Sequence, residues 1–171
     1  FNKVNILVLP GVGSFGSGIN QLNRKNYNSE IINFHKSGKL LIGVCLGMQL
    51  MMQNSDENYG IAGLSLLNHS IKKINYTDCQ KKIHVGWNEL KTAGDHNNLF
   101  KRFDNKSFYF THSFFLDSID SKCFGKTKFN DDELISFFIK DNIVGCQFHL
   151  ELSGKNGFNL MNKILEYEKS L

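Results

Sequence analysis

The chain has 171 residues, 41% hydrophobic and 21% charged, with a net charge of +4. That length supports one domain with a sizeable core, and the composition excludes a disordered or low-complexity chain. Lys and Arg are scattered rather than blocked, so the pattern does not ask for nucleic acid, and the longest apolar stretch, "LLIGVCLGMQLMM", is too short to span a bilayer.

In chain order, "VNILVLP" (4–10) is a β-branched apolar run closed by Pro10 and reads as a buried strand. The glycine-dense loop "GVGSFGSG" follows, then an interrupted helical pattern over 17–36 with Ile19, Leu22, Ile31, Ile32 and Phe34. "KLLIGV" (39–44) is a second buried strand, and "LGMQLMMQNS" (46–55) reads as a helix starting directly after Cys45. From about 59 to 147 short apolar runs alternate with turns: "GLSLLN", "SIKKINY", "HVGWNEL", "SFYFTHSFF", "LISFFIK" and "NIVGCQF". Their links are too short for crossover helices, which predicts antiparallel pairing for several of them. The end, "SGKNGFNLMNKILEYEKS", places Phe158, Met161, Ile164 and Leu165 at helical spacing, with Ser153 as the candidate N-cap. The expected fold is α/β: an open mixed, mainly parallel sheet flanked by helices, with an added antiparallel strand region, in a single domain over 1–171.

The start "FNKVN" lacks the pattern of a signal peptide. Cys45, Cys79, Cys123 and Cys146 show no paired spacing for zinc or a disulfide framework, and read as free thiols of a reducing cytoplasm. No metal or cofactor is expected. Cys79, Cys123 and Cys146 read as buried structural cysteines.

Cys45 differs. "GVCLG" places it between a buried strand and a helix with Gly43 and Gly47 on either side, the pattern of a sharp turn that lifts a nucleophile above a sheet. The helix N-terminus beside the sulfur favours thiolate, and the Leu46 N–H points at a developing oxyanion. "GVGSFG" (11–16) matches a dinucleotide-binding glycine pattern, but that site also wants an acid at the tip of the next strand, and "KLLIGV" ends at Cys45 with none. The loop instead offers bare backbone N–H groups to an anion, at the same sheet edge as Cys45. In "QFHLELSG", His149 and Glu151 are one position apart, so an extended chain sets both on one face. That pattern fits either a strand end reaching solvent or a base and the carboxylate that orients it.

Together and in this order, "PGVGSFG", "GVCLGMQ" and "QFHLELSG" resemble the class I, triad-type glutamine amidotransferases of flavodoxin-like fold. The resemblance is nearest the glutaminase-subunit family of imidazole glycerol phosphate synthase, and "HVGWNEL" and "FYFTHSFF" extend it over nearly the whole chain. It implies that Cys45 attacks the side-chain amide of L-glutamine, with His149 as base and Glu151 as its orienter. It implies an oxyanion hole from Val12, Gly13 and Leu46, and glutamine held by Gly11, Gly13, Gln49, His112 and Ser113. Trp87 and Asn88 would face a (β/α)8-barrel synthase partner in a heterodimer that receives the ammonia and makes imidazole glycerol phosphate and aminoimidazole carboxamide ribotide.

Two departures stand out. The family has Pro between the triad His and Glu, where this chain has Leu150; without a fixed φ the pair is expected to be held less rigidly. The family also begins with a further β-α-β segment, so a fragment of a longer protein is expected. A paralogue supplying ammonia for surface-sugar amidation, which Leu150 could mark, stays open, as does a docking subunit without turnover. A thiol hydrolase unrelated to glutamine would leave Gln49 and "THSFF" as coincidence.

Overall fold

Short apolar, β-branched runs build the part of the sheet that carries Cys45. In the computed structural model, which describes residues 3–94 and 100–171, β1 (Ile6–Leu9) pairs in parallel with β2 (Leu40–Val44), and β10 (Ile143–Cys146) adds in parallel to the other side of β2. β2 is buried throughout, as a strand covered on both faces must be. Its side chains divide with period two: Leu40, Ile42 and Val44 enter one core, Leu41 the other.

The first core packs α1 (Phe15–Arg24) and α3 (Leu46–Leu50) on the sheet through Phe15, Ile19, Leu22, Met48 and Leu50. The second is largely aromatic, with Phe108, Phe110, Phe137 and Phe148 packed against Leu160 and Ile164 of α4 (Gly154–Glu168). Each such buried side chain contributes roughly 2–3 kcal/mol of apolar transfer. α2 (Tyr27–Lys36) leads back into β2, with Ile31 and Phe34 buried.

Past β10 the sheet becomes antiparallel. β9 (Asp132–Lys140) runs against β10, β8 (Cys123–Phe129) and β7 (Phe114–Leu116). β7 pairs with β4 (Ser70–Lys73), which takes the short β3 (Asn54–Ser55) in parallel. β5 (His84–Gly94) is shared: His84–Leu90 pair with β6 (Lys106–His112), and Lys91–Gly94 with β8. The result is the expected mixed sheet flanked by helices, with an antiparallel extension. Among the described residues no helix is long and apolar enough to cross a membrane.

Several elements differ from expectation. The helical pattern of 17–36 is two helices, broken at Asn26, which adopts φ 55°. α3 ends at Leu50 instead of running to 55, because β3 follows almost at once. "GLSLLN" is not a strand; Leu64 and Leu66 N–H instead donate to the Leu50 and Met51 carbonyls and close off the end of α3. β8, "CFGKTKF", was not anticipated, since a strand rich in Lys and Gly lacks the apolar signal. Cys79 is exposed, whereas Cys123 and Cys146 are buried as expected; all are free thiols.

Candidate active site

Cys45 follows β2 at φ 51°, ψ −114°, a positive-φ turn that a non-glycine residue holds only under constraint. Gly47 makes the constraint possible. A Cβ there would lie 1.7 Å from the Leu9 carbonyl oxygen, so only glycine lets α3 approach β1 this closely. The Cys45 amide donates to the Cys146 carbonyl at 2.7 Å, tying the turn to β10.

The thiol is 6% exposed. Burial pushes it up to about 11; the Leu46 amide and, more weakly, the Gln147 carboxamide oppose that rise, and the Glu151 carboxylate adds to it. The expectation that the helix N-terminus would favour thiolate is therefore not met in this state. α3 spans only five residues, too few to sum a strong dipole against the desolvation of the sulfur. The resting group is a thiol and needs a base. Its hydrogen-bond partners are the Thr111 carbonyl, which accepts from Sγ–H at 3.9 Å, and Gln147 Nε2, which donates to Sγ at 3.9 Å.

His149 is buried, and its Nδ1–H donates to Glu151 Oε1 at 2.7 Å. An ionised carboxylate only accepts, so the neutral ring presents Nε2 as a bare acceptor, and that atom has no hydrogen-bond partner. The pair meets through a 3-10 turn over Leu150–Leu152, with His149 extended at its start, rather than through strand alternation. With Leu150 between them the pair keeps several fixed contacts. The His149 N–H donates to the Tyr109 carbonyl (2.9 Å), the Ser153 hydroxyl donates to the His149 carbonyl (2.5 Å), and Leu150 is buried in the aromatic core. Ser153 is the N-cap residue of α4 as expected, but its side chain makes no capping hydrogen bond; its hydroxyl instead joins β6 to the turn, also accepting from Tyr109 N–H at 3.0 Å.

A cavity of about 360 Å3 opens at Cys45 and is lined by Val12, Gly13, Leu46, Gln49, His112 and Ser113 of the expected set. Gly13 adopts φ 109°, a conformation suited to glycine that aims successive loop amides differently from a strand. Gly11 does not line the cavity; its carbonyl accepts the Leu46 N–H at 3.3 Å, so that amide is taken up inside the loop. Gln49 donates through Nε2 to the Phe114 carbonyl (2.9 Å) and to Gln147 Oε1 (3.1 Å). His149 and Glu151 do not line this cavity; Glu151 lines a second one, with Val44, Leu150 and Gly154.

The wall includes residues the sequence did not single out: Glu57, Ile83, Thr111 and Phe114. Glu57 Oε2 accepts from Phe15 N–H at 2.7 Å at the start of α1, which places a carboxylate on the cavity. Nothing in "NSDENYG" separates Glu57 from Asp56, because the choice is made by contact with a distant helix end.

His112 belongs to a directional relay. The Asn88 amide donates to His84 Nε2 (3.1 Å) and to the Lys128 carbonyl (3.0 Å); His84 Nδ1–H then donates to His112 Nε2 (3.0 Å), and His112 Nδ1–H to the Phe114 carbonyl (2.9 Å). The acceptor-only carbonyls at both ends fix both tautomers. Burial lowers His84 to about 4 and His112 to about 3, so both rings are neutral near pH 7. With both nitrogens taken, the His112 ring offers the cavity shape rather than a hydrogen bond. Trp87 is 58% exposed, edge-on to Tyr109 at 5.9 Å, and with Ile83, Val85 and Leu152 adds exposed apolar surface. Asn88 spends its amide inside the relay.

A buried thiol on a strained strand–helix turn and a hydrogen-bonded His–Glu pair are the groups that a cysteine-dependent hydrolase would use. The chain belongs to the class-I glutamine amidotransferases, whose family model matches residues 2–165. It is similar to the imidazole glycerol phosphate synthase subunit HisH of Prochlorococcus marinus subsp. pastoris, with 39% identity over 159 residues, 92% of this chain and 77% of that protein. The subunit of the same name from Methanocaldococcus jannaschii is 35% identical over 161 residues, 94% of this chain and 79% of that protein. Among solved structures the fold is similar to PurLQS from Thermotoga maritima, with a TM-score of 0.72 at 20% identity, covering 98% of this chain and 81% of that one.

Proposed function

We propose that this chain is the glutaminase subunit of an imidazole glycerol phosphate synthase, acting in the cytoplasm and passing ammonia from L-glutamine to a (β/α)8-barrel partner. What supports the chemistry is Cys45 on its strained turn at the cavity, together with a His149 whose Nδ1 is fixed by Glu151 and whose Nε2 is bare. Similarity to the named HisH subunits supports the pathway and the partner.

In this scheme Glu57 takes the α-ammonium of glutamine, while Ser113 and the wall of Gln49 and His112 fix its other end. The Cys45 proton moves to His149 Nε2, and the sulfur attacks the side-chain amide carbon. Leu46 N–H and an amide of the Val12–Gly13 loop meet the developing oxyanion, which requires Leu46 N–H to leave the Gly11 carbonyl. The imidazolium returns its proton to the departing ammonia, leaving a thioester; His149 then draws a proton from water, and glutamate leaves. Ammonium is not a nucleophile, so ammonia must reach its acceptor without entering bulk water. The exposed apolar face of Ile83, Val85, Trp87 and Leu152 is suited to the partner.

The test is glutamate release measured with and without the barrel synthase. Cys45→Ala should abolish release, by about a thousandfold or more, yet leave the partner's use of added ammonium intact and thermal stability within a few degrees. A full complex that releases no glutamate, and whose Cys45 resists a glutamine-like electrophile, would sink this reading.

A further inference from the structure

Gln147 is a buried polar side chain at the nucleophile to which the thioester scheme gives no task. It is 0% exposed, and its backbone is held by Gln147 N–H donating to the Ser136 carbonyl at 2.9 Å. Its carboxamide bridges two groups: Oε1 accepts from Gln49 Nε2 at 3.1 Å, and Nε2 donates to Cys45 Sγ at 3.9 Å.

That orientation is dictated by its neighbours. Gln49 Nε2 also donates to the Phe114 carbonyl at 2.9 Å, and a carbonyl only accepts. Gln49 therefore presents N–H to Gln147, Gln147 answers with oxygen, and its NH2 is left facing the sulfur. The reversed amide would set N–H against N–H and oxygen against sulfur lone pairs. On its other side the thiol hydrogen is directed at the Thr111 carbonyl, while His149 Nε2 is unpartnered. The sulfur thus rests between an acceptor and a donor, off its base.

We propose that Gln147 is a positioning residue for the nucleophile: oriented by Gln49, it donates to Cys45 Sγ, and this bond strengthens as the S–H bond breaks and the proton passes to His149 Nε2. The products of that step are a thiolate and an imidazolium, with no atom gained or lost. A hydrogen bond to an anion is about twice as strong as one to a neutral group. Water has little access to this sulfur, so fixed donors must replace it. Leu46 N–H, the other donor opposing burial of the thiol, also serves the Gly11 carbonyl and is needed by the oxyanion. Gln49 and Cys45 both line the cavity, so a ligand that moves the Gln49 amide also acts on the sulfur through Gln147. This rests on Cys45 being the glutaminase nucleophile and adds the link from cavity wall to sulfur.

The test is the pH dependence of Cys45 alkylation by iodoacetamide in the full chain, read by peptide mass spectrometry to separate Cys45 from Cys79. Gln147→Met keeps the length and removes the donor; it should raise the alkylation midpoint by about one pH unit, so that labelling below the midpoint slows about tenfold. In the partner complex kcat should fall about tenfold with KM within about threefold, and the deficit should shrink as pH rises. Gln49→Met should shift the midpoint in the same direction, and the double variant no further than Gln147→Met, because one group acts through the other. A folded Gln147→Met protein with wild-type midpoint and kcat overturns the proposal, as does full additivity with Gln49→Met. Should Gln147→Met lose its near-UV circular dichroism, Gln147→Glu replaces it. A carboxylate of the same shape should raise the midpoint further, and an unmoved midpoint overturns the proposal. Labelling reads the sulfur without glutamine, so absence of glutamate release counts against the glutaminase reading and leaves this measurement standing.

Discussion

Cys45 and His149 stand at two corners built by different means. The Cys45 corner is shaped by its own sequence, a positive-φ turn, the short α3 and Gly47 letting that helix touch β1, and its amide is tied to the Cys146 carbonyl. The His149 corner is held by the Tyr109 carbonyl, from far along the chain, and by the Ser153 hydroxyl, which itself takes the Tyr109 N–H. The two meet on β6, where the Thr111 carbonyl accepts from the Cys45 thiol and the Tyr109 carbonyl from the His149 amide. Local strain sets Cys45, and hydrogen bonds to β6 set His149. A site divided this way has two distinct points of failure.

The largest effect should come from the local corner. Gly47→Ala forces a methyl against the Leu9 carbonyl, which should cost about 3 kcal/mol or more and lower Tm by about 10 °C in a calorimetric scan. An unchanged Tm would mean that the corner yields, and the contrast between the regions would weaken. Ser153→Ala strikes the other corner. It strands the Tyr109 N–H and removes the donor to the His149 carbonyl, so a loss of about 1–3 kcal/mol is expected. kcat should fall about tenfold with KM nearly unchanged, since His149 loses its position while the cavity wall does not. A KM effect of the same size would show that the pin serves the pocket rather than the base.

Acid should also act on the long-range side, through the buried rings of β5 and β6. His84 and His112 titrate at about 4 and about 3 in the fold, below the ordinary 6.5. The unfolded chain therefore binds more protons in this window. The stability they contribute is fully present above about pH 6.5 and is lost as pH falls through about 4 and about 3. Melting curves from pH 7 to pH 4 should show Tm falling, and His84→Gln should flatten that slope. The smallest effect is expected at Leu150. His149 is already extended, at φ −84° and ψ 105°, and position 150 opens the 3-10 turn, where proline is tolerated. Leu150→Pro should change kcat by less than about threefold, because the pins rather than residue 150 hold the pair. A large gain in activity would show that Leu150 had left the turn loose.

Legibility in the sequence followed the same division. "GVCLG" exposed Cys45 because its cause is local: glycines and a strand-to-helix change within a few residues. β1, β2 and α4 were legible from apolar runs and helical spacing. "HLE" showed which groups pair but not how, since whether a short segment stays extended or turns depends on what β6 offers its backbone. The fate of Gln49 and His112 was hidden for the same reason: their hydrogen-bonding groups are used up by residues distant in sequence.

The sequence by itself singled out Cys45, His149 and Glu151 as candidate nucleophile, base and carboxylate, the two front strands β1 and β2, and the amidotransferase family; the parallel pairing of β10 with β2 was left to the fold. Tertiary structure alone decided the protonation of Cys45, the orientation of Gln147, the use of Ser153 as a pin, and the entry of Glu57 into the cavity. Burial and hydrogen-bond direction are properties of assembled neighbours. A thiol, an amide or a hydroxyl carries none of that information until the chain around it has folded.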